Sequence, residues 1–271
     1  MLKLHGKTGD NMADNNYFHT AYAYSADGTD RFTTVYPNLN LLDGTKDFSG
    51  AGWTNVSGVP NDGTFKGLTI KSKSSQWNGL YKNYTIPEDG DYVFSVYTSA
   101  SADGVNPAMV ISKNSTVIKN TVISTTMFDM QRFDYVCENL KKGDVVSGRI
   151  DKSGTATGKV SVAGHKWEKG SIATPYMPSA SEVTTADWPK YVGTYVDTNP
   201  VSSTDPSKYD WDEMKYRVYL DGVPVGGSKL LSFDLENLKA GTSYNVQVSQ
   251  INGNIESDKS ESVAFKTTLT Q

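Results

Sequence analysis

Apolar and polar residues alternate with a period of two in many short runs of this chain. In DYVFSVYTS, Phe94 and Val96 fall on one side and Tyr97 on the other, and the runs GLYKNYTI and QRFDYVC also alternate. Successive side chains of a strand point to opposite faces, so this pattern is typical of a strand with one buried face. Turn sequences such as PEDGD and KKGD separate the runs, and long helical periodicity is absent. The pattern predicts an all-β protein built from β-sandwiches.

Prolines and shifts in composition divide the chain into four segments. We predict an N-terminal arm at 1–36, a first sandwich at 37–178, a connector at 179–214 and a second, smaller sandwich-like unit at 215–271. The connector is rich in Ser, Thr, Asp and Pro, but it also carries five aromatic residues, which a plain linker lacks. We therefore expect the connector to dock on folded structure.

Charge and hydropathy narrow the range of partners. The 271 residues include 26 Lys and Arg and 30 Asp and Glu, for a formal net charge of −4, and no basic patch of the nucleic-acid-binding kind stands out. No apolar run reaches the roughly 18 residues that suggest a membrane span. The start, MLKLHGKTGDNM, lacks the apolar core of a secretion signal. We expect a protein made in the host cytoplasm without a signal peptide, with neither nucleic acid nor membrane as partner.

The C-terminal unit resembles a fibronectin type III domain. YRVYLDG is similar to the third strand of that fold, and SFDLENLKAGTSYNVQVSQING is similar to its L-x-x-L-x-x-x-T-x-Y corner, with Tyr244 as the corner tyrosine. About 55 residues follow Tyr216, whereas a complete sandwich has about 90 to 100. Either the KYDWDEM region supplies the first two strands, or the sandwich is incomplete.

Residues 37–178 resemble the jelly-roll carbohydrate-binding modules found on glycan-degrading enzymes and phage tails. The resemblance covers about half the chain and lies in NLNLLDGTKDFSGAGWTN, SQWNGLYKNYTI, GDYVFSVYTSA, FDMQRFDYVCE and HKWEKGSIATPY. The last string is similar to the K-x-E-K-G-S-x-A-T-P strand on which such modules usually end. The resemblance implies a jelly-roll β-sandwich that closes at this strand.

The segments before and after the jelly roll resemble a known phage motif. YFHTAYAYSADGTDRFTTVY and YVGTYVDTNPVSSTDPSKYDW look like two halves of a small motif common in tail and baseplate proteins of phages that infect lactic-acid bacteria, with the jelly roll inserted between them. Taken whole, the chain resembles an accessory baseplate or tail protein of such a phage, of the lactococcal type. This implies a virion component at the tail tip whose partners are host cell-surface saccharide and other baseplate proteins.

Strand alternation nominates the residues that could bind a sugar. Sugar rings lie against flat apolar side chains, and amide, carboxylate or guanidinium groups bind their hydroxyls. The positions expected in the core are Leu80, Tyr84, Phe94, Val96, Phe133 and Tyr135. The positions expected on the outward face are Tyr81, Asn83, Tyr97, Arg132 and Asp134, with Trp53 and Trp77 in adjoining loops as walls. The alternative is that the tryptophans pack internally and that Arg132 and Asp134 form a surface ion pair worth little.

A structural calcium ion is a further expectation, because the modules that the chain resembles often hold one near their first and last strands. Asn40, Asp43 and Asp47 could supply oxygens, although calcium takes six to eight. The alternative is an ordinary turn, and we expect no required cofactor.

Signs of catalysis are weak. His5, His19 and His165 are far apart in sequence, and neither a phosphate-binding loop nor a nucleophile elbow is present. We expect a protein that is not an enzyme, that binds cell-wall saccharide and that aids host adhesion. The alternatives are a structural decoration protein whose sandwich face packs against protein and, more weakly, a polysaccharide depolymerase.

Overall fold

The computed structural model describes residues 3–5, 16–236 and 238–268, and most of its ordered structure is β-strand. Chain contacts divide the protein into two compact units. Residues 38–183 form the jelly-roll unit, and residues 1–37 together with 184–271 form the second, which we call the flanking unit. The predicted all-β fold is confirmed. Among the described residues, no helix is long and apolar enough to cross a membrane.

The jelly-roll unit consists of two antiparallel sheets and a small two-stranded pair. Its strands are β3 (Trp53–Thr54), β4 (Asn61–Phe65), β5 (Leu68–Lys73), β6 (Tyr81–Lys82), β7 (Tyr84–Thr85), β8 (Gly90–Ala100), β9 (Pro107–Lys113), β10 (Thr116–Val122), β11 (Phe128–Leu140), β12 (Val145–Lys152) and β13 (Val160–Lys169), where β1 and β2 precede the unit. The five-stranded sheet has the order β11-β8-β13-β5-β4, and the four-stranded sheet has the order β10-β9-β12-β7. β3 pairs with β6.

The core of the jelly-roll unit takes one face of each strand, as the alternation predicts. Leu80, Phe94 and Val96 are fully buried in it, and Tyr84, Phe133 and Tyr135 pack against it. A fully buried side chain of this size contributes about 1.5–3 kcal/mol. The long register of β11 on β8 places Arg132 opposite Tyr97 and Asp134 opposite Ser95, so these four side chains share the other face.

A buried ion pair lies in the closing string HKWEKGSIATPY. Lys166 Nζ lies 3.0 Å from Glu168 Oε2, and it donates to Thr174 Oγ1 at 2.7 Å and to the Pro175 carbonyl at 2.9 Å. Glu168 Oε1 accepts the backbone N–H of Thr174 at 2.9 Å, and Thr174 Oγ1 donates to Oε2. Both charged side chains are completely buried. The motif therefore ties the last strand to the segment that follows it.

A bulge in β13 needs glycine. The register of β13 on β8 shifts between Ala163 and Lys166. Gly164 in the bulge has a φ of +58°, and a Cβ there would lie 2.6 Å from Leu68 Cδ1. Both the left-handed backbone and the close contact exclude a larger side chain.

The flanking unit is built from three groups of strands and two short 3-10 helices. Its elements are β1 (Lys3–His5), β2 (Tyr17–Ala23), η1 (Thr185–Asp187), β14 (Tyr191–Asp197), η2 (Pro206–Lys208), β15 (Asp210–Glu213), β16 (Tyr216–Leu220), β17 (Val223–Ser228), β18 (Ser232–Asp234), β19 (Ser243–Asn252), β20 (Ile255–Glu256) and β21 (Val263–Lys266). One sheet has the order β15-β14-β2, and a second has the order β17-β16-β19-β20 with β21 also on β19. β1 pairs with β18 in parallel.

The aromatic residues of the connector pack on folded structure. Trp188 stacks on Tyr36 with ring centroids 5.5 Å apart, and the Arg217 guanidinium lies 4.9 Å from the Trp188 ring. Arg217 Nε donates to the Tyr36 hydroxyl at 3.0 Å, and Nη1 donates to Glu256. This buried cluster joins the arm, the connector and the sheet of order β17-β16-β19-β20, which we call the C-terminal sheet.

In the C-terminal sheet the hydroxyl of Tyr244 bonds to the backbone, and of the two alternatives for KYDWDEM the structure does not show the one in which this region adds strands to the sheet. The Tyr244 hydroxyl accepts the backbone N–H of Lys239 at 2.9 Å. The KYDWDEM region forms β15, which pairs with β14 and not with the C-terminal sheet. The buried residues of this sheet are Val218, Leu235 and Val246, and several neighbouring apolar side chains are only half-buried.

Candidate functional site

The side of the five-stranded sheet that faces away from the core is the candidate site, which we call the outer face. β8 and β11 place Tyr97, Arg132 and Asp134 there, as the alternation predicts. An apolar cluster surrounds Tyr97: Leu68 and Ala163 are buried beside it. The outer face therefore combines an apolar centre with charged groups at one edge.

Three residues of the outer face escaped the sequence analysis. Phe65, Ile70 and Met130 are half-buried against the Tyr97 cluster, and the Phe65 ring packs edge-on to the Tyr97 ring at 5.2 Å. Tyr97 itself is only 7% exposed, so Phe65 offers more ring surface to a ligand than Tyr97 does. The lone apolar residue of NDGTF lies in a turn-rich run, so no alternation signalled its face.

Two nitrogen atoms of the Arg132 guanidinium have no hydrogen-bond partner among the described residues. Its guanidinium lies 5.3 Å from the Tyr97 ring, and Nη2 donates to Ser95 Oγ. Those two nitrogen atoms are Nε and Nη1. A buried donor without a partner costs about 1–3 kcal/mol. Both atoms are buried, so an acceptor oxygen of a ligand could reach them only if the neighbouring side chains moved.

A polar cluster occupies the opposite edge of the outer face. Ser72 Oγ donates to Asp62 Oδ2 at 2.7 Å and lies 2.7 Å from Ser161 Oγ, whose hydroxyl can donate to it, and Lys159 Nζ donates to the same Asp62 oxygen. The bonds from Lys159 and then Ser72 lower the pKa of Asp62 below its ordinary value. This carboxylate is ionised at neutral pH and can accept from a sugar hydroxyl.

The other predicted sugar contacts lie elsewhere. The prediction that Trp77 walls the sugar-binding surface is wrong. Its side chain is 7% exposed and packs in the core of the jelly-roll unit. Tyr81 pairs with Thr54 and lies 5.7 Å from the guanidinium of Arg149, which belongs to the four-stranded sheet. Asn83 is exposed in the break between β6 and β7.

Trp53 is held by its own loop. Its ring packs on Phe48 with centroids 5.0 Å apart, and Nε1 donates to the Ser49 carbonyl at 3.1 Å. Of the seven predicted sugar contacts, the structure thus brings only Tyr97, Arg132 and Asp134 together on the outer face.

Asn40, one of the predicted calcium ligands, is buried, and its side chain is hydrogen-bonded to other protein groups. Its Nδ2 donates to Thr45 Oγ1 and to the His165 carbonyl, both at 2.8 Å. Its Oδ1 accepts the backbone N–H groups of Leu42 at 3.0 Å and Trp167 at 3.1 Å. The side chain therefore cross-links four groups by itself, with its oxygen already committed.

Asp43 and Asp47 also have local partners. Asp43 Oδ1 accepts from Ser181 Oγ at 2.9 Å, and bonds from Ser179 and Ser181 lower the pKa of Asp43. Asp47 Oδ1 accepts the backbone N–H of Ser49 at 3.0 Å. Within the described part of the chain, no cluster of three or more His, Cys, Asp or Glu residues could hold a metal. These residues do not fit a calcium site.

This arrangement makes a prediction about metal removal. EDTA is expected to leave the melting temperature unchanged, whereas Asn40→Ala lowers the free energy of unfolding by about 2–3 kcal/mol, because it strands buried backbone groups. Urea unfolding followed by fluorescence measures both. Asp47→Ala, at an exposed turn, is the control and should cost less than about 1 kcal/mol. A melting temperature that falls in EDTA and recovers with calcium would contradict the prediction.

Comparisons with known proteins point to one group. Residues 189–247 match a family model described as "Minor structural protein 5-like, C-terminal domain". The chain is 47% identical to a chain in the structure of the tripod (BppUct-A-L) from the baseplate of bacteriophage Tuc2009, over 96% of this chain and 100% of that one, with a TM-score of 0.69. No curated protein sequence matches this chain.

Two carbohydrate-binding modules show a more distant likeness. One is module CBM6cm-2 of lichenase 5A from Cellvibrio mixtus, in complex with cellotriose: 12% identity over 51% of this chain and 96% of that one, with a TM-score of 0.28. The other is the CBM22-1 xylan-binding domain of Xyn10C from Paenibacillus barcinonensis: 14% identity over 45% of this chain and 88% of that one, with a TM-score of 0.32. At such scores the likeness has no bearing on what this chain binds.

Proposed function

This chain belongs to the family of lactococcal phage baseplate proteins represented by the Tuc2009 tripod, and from that premise we propose that its jelly-roll unit binds host cell-wall saccharide without cleaving it. Proteins of this family are components of the phage baseplate. A sugar-binding unit in the baseplate would aid adhesion to the host cell.

The composition of the outer face is the observation that supports saccharide binding. It presents the half-buried Phe65 and Met130, which pack against the nearly buried Tyr97, together with Arg132 and Asp134. Aromatic rings pack against the C–H faces of a pyranose, while a guanidinium and a carboxylate exchange hydrogen bonds with its hydroxyls. A shallow face of this kind would bind weakly as a single site, and repeated display on a virion would strengthen attachment.

The proposal is tested by binding of fluorescently labelled full-length protein to cell-wall polysaccharide purified from host strains. The combination Phe65→Ala with Arg132→Ala is expected to weaken binding at least tenfold, because it removes an apolar ring and the guanidinium of the outer face together. Tyr81→Ala, which changes an aromatic residue away from the outer face, should stay within twofold of the wild type. Trp77→Ala is unsuitable, because loss of a core tryptophan costs about 3–5 kcal/mol.

The outcomes separate this proposal from its alternatives. Equal binding by the double variant and the wild type, with unfolding curves unchanged, would move the site off the outer face. No binding of the wild type to polysaccharide from any host strain would favour a decoration protein whose sandwich face packs against protein. Release of soluble fragments from the polysaccharide would contradict non-catalytic binding.

A further inference from the structure

The outer face carries polar groups at both edges of the five-stranded sheet. β4 and β11 are the edge strands, and β5, β13 and β8 lie between them. Neighbouring strands are about 4.8 Å apart, so the polar side chains of β4 lie about 19 Å from those of β11. A single sugar ring is too short to contact both edges, whereas a chain of several sugar units is long enough.

Strand register places these two edges on one line across the sheet. Arg132 of β11 pairs with Tyr97 of β8, and Tyr97 pairs with Ala163 of β13. Two residues before Ala163, β13 pairs with β5 at Ser72. Ser72 Oγ in turn donates to Asp62 Oδ2 of β4 at 2.7 Å. We call this series, from Asp62 to Arg132, the cross-strand line.

Apolar side chains occupy the middle of the cross-strand line. Ile70 and Phe65 are half-buried against the cluster that contains Tyr97, and the ring centroids of Phe65 and Tyr97 are 5.2 Å apart. At the β11 edge, Asp134 is exposed. The line thus has an apolar centre and a carboxylate near each end, which suits the C–H faces and the hydroxyls of a sugar chain.

Asp62 is held in position but is accessible to a ligand. Lys159 Nζ and Ser72 Oγ both donate to Oδ2, and the Ser161 hydroxyl can donate to Ser72 Oγ at 2.7 Å. The Asp62 side chain is 37% exposed. Within the described part of the chain, no group donates to its other oxygen, Oδ1. A carboxylate that its neighbours already orient loses little conformational freedom when it accepts a ligand hydroxyl.

We propose that the outer face binds an extended segment of several sugar units lying across the strands, and that Asp62 forms a separate subsite at one end of it. A hydroxyl at that end would donate to Asp62 Oδ1. The middle rings would cover Phe65 and Ile70, and the far end would lie at Asp134. The ligand class is an internal stretch of a polysaccharide rather than a single sugar. This inference rests on the proposed saccharide binding.

The test is titration calorimetry of the full-length protein with fragments of host cell-wall polysaccharide, prepared by partial hydrolysis and separated by length. The dissociation constant is expected to fall as the fragments lengthen and to level off once they span the sheet. Asp62→Ala should raise the dissociation constant of spanning fragments about tenfold, because it removes a hydrogen bond to a charged group. The shortest fragments that bind cover only the apolar centre, so their dissociation constant should change less than twofold.

Two further variants serve as controls. Asp89 forms an exposed ion pair with Lys141 at 3.0 Å, in the turn before β8 and outside the cross-strand line. Asp89→Ala should therefore change the dissociation constant of every fragment less than twofold. Asp62→Asn keeps the shape of the side chain and an acceptor for Ser72 but removes the charge. Its unfolding curve should match the wild type, and its dissociation constant for spanning fragments should lie between those of the wild type and Asp62→Ala.

The results distinguish failure of this inference from failure of the proposed function. Single sugars that bind as tightly as long fragments would overturn the inference and leave saccharide binding intact. Spanning fragments that bind Asp62→Ala as tightly as the wild type would show that the ligand does not reach β4, with the same consequence. If neither the fragments nor the intact polysaccharide bind the wild type, both the proposed function and the inference are wrong.

Discussion

Glu168→Ala is expected to lower the free energy of unfolding by about 3–5 kcal/mol, the cost of leaving a buried charge without its partner. Lys166 and Glu168 are both fully buried, and water cannot replace the missing carboxylate. Burial already lowers the pKa of Lys166, and removal of Glu168 would lower it further. Urea unfolding at pH 7, followed by tryptophan fluorescence, measures the loss.

An ion pair between Lys169 of β13 and Glu88, which lies before β8, is the control. Lys169 Nζ lies 2.6 Å from Glu88 Oε1, but both side chains are half or more exposed. Glu88→Gln is therefore expected to cost no more than about 1 kcal/mol. Replacement of both Lys166 and Glu168 with Met should recover most of the loss of Glu168→Ala, because no charge is then buried alone. Similar costs for Glu168→Ala and Glu88→Gln would show that burial does not govern the pair.

Acid is expected to destabilise the protein through His165. Burial lowers the pKa of His165 from 6.5 to about 3, and the nearby backbone of Leu80 offsets this only in part. Between pH 6.5 and pH 3 the unfolded chain binds a proton that the folded chain does not, so stability falls as the pH falls through that window. The contribution is about 3 kcal/mol at pH 4.5 and about 4 kcal/mol at pH 3.

Unfolding of the wild type and of His165→Leu across pH 3 to 8 isolates this contribution. Carboxyl groups titrate in both proteins, so the difference between the two curves reports His165. The His165→Leu curve should fall less steeply below pH 6.5. If the leucine variant does not fold, NMR of the wild type gives the same answer, because the imidazole of the folded protein should remain neutral down to about pH 3. Parallel stability curves, or protonation of the folded-state imidazole near pH 6, would contradict the prediction.

Local alternation predicted the two faces of individual strands correctly. Phe94 and Val96 lie in the core, Tyr97 lies on the outer face, and Arg132 and Asp134 lie beside it. The period of two is a property of the extended backbone itself, so a single strand carries this information without its neighbours. The closing string HKWEKGSIATPY was likewise recognisable as the end of a jelly roll, but the buried ion pair between its residues Lys166 and Glu168 was not predicted.

Predictions that residues of different strands lie on one surface were less accurate. Tyr81 and Asn83 were grouped with Tyr97 because each faced away from its own core positions. The chain breaks between β6 and β7, and β7 pairs with β12 in the four-stranded sheet, so these residues face a different surface. Trp77, in a run without clear alternation, could be placed in the core only by long-range packing.

The sequence by itself determined the all-β class, the faces of the long strands and the resemblance to a phage baseplate protein with an inserted jelly roll. Tertiary structure alone decided which faces form the outer face, that Phe65 joins it and that Asn40 binds four protein groups. The physical reason is range: alternation and turn chemistry act over a few neighbouring residues. A binding surface instead depends on pairings such as β11 with β8 and β14 with β2, whose partners lie tens to more than a hundred residues apart.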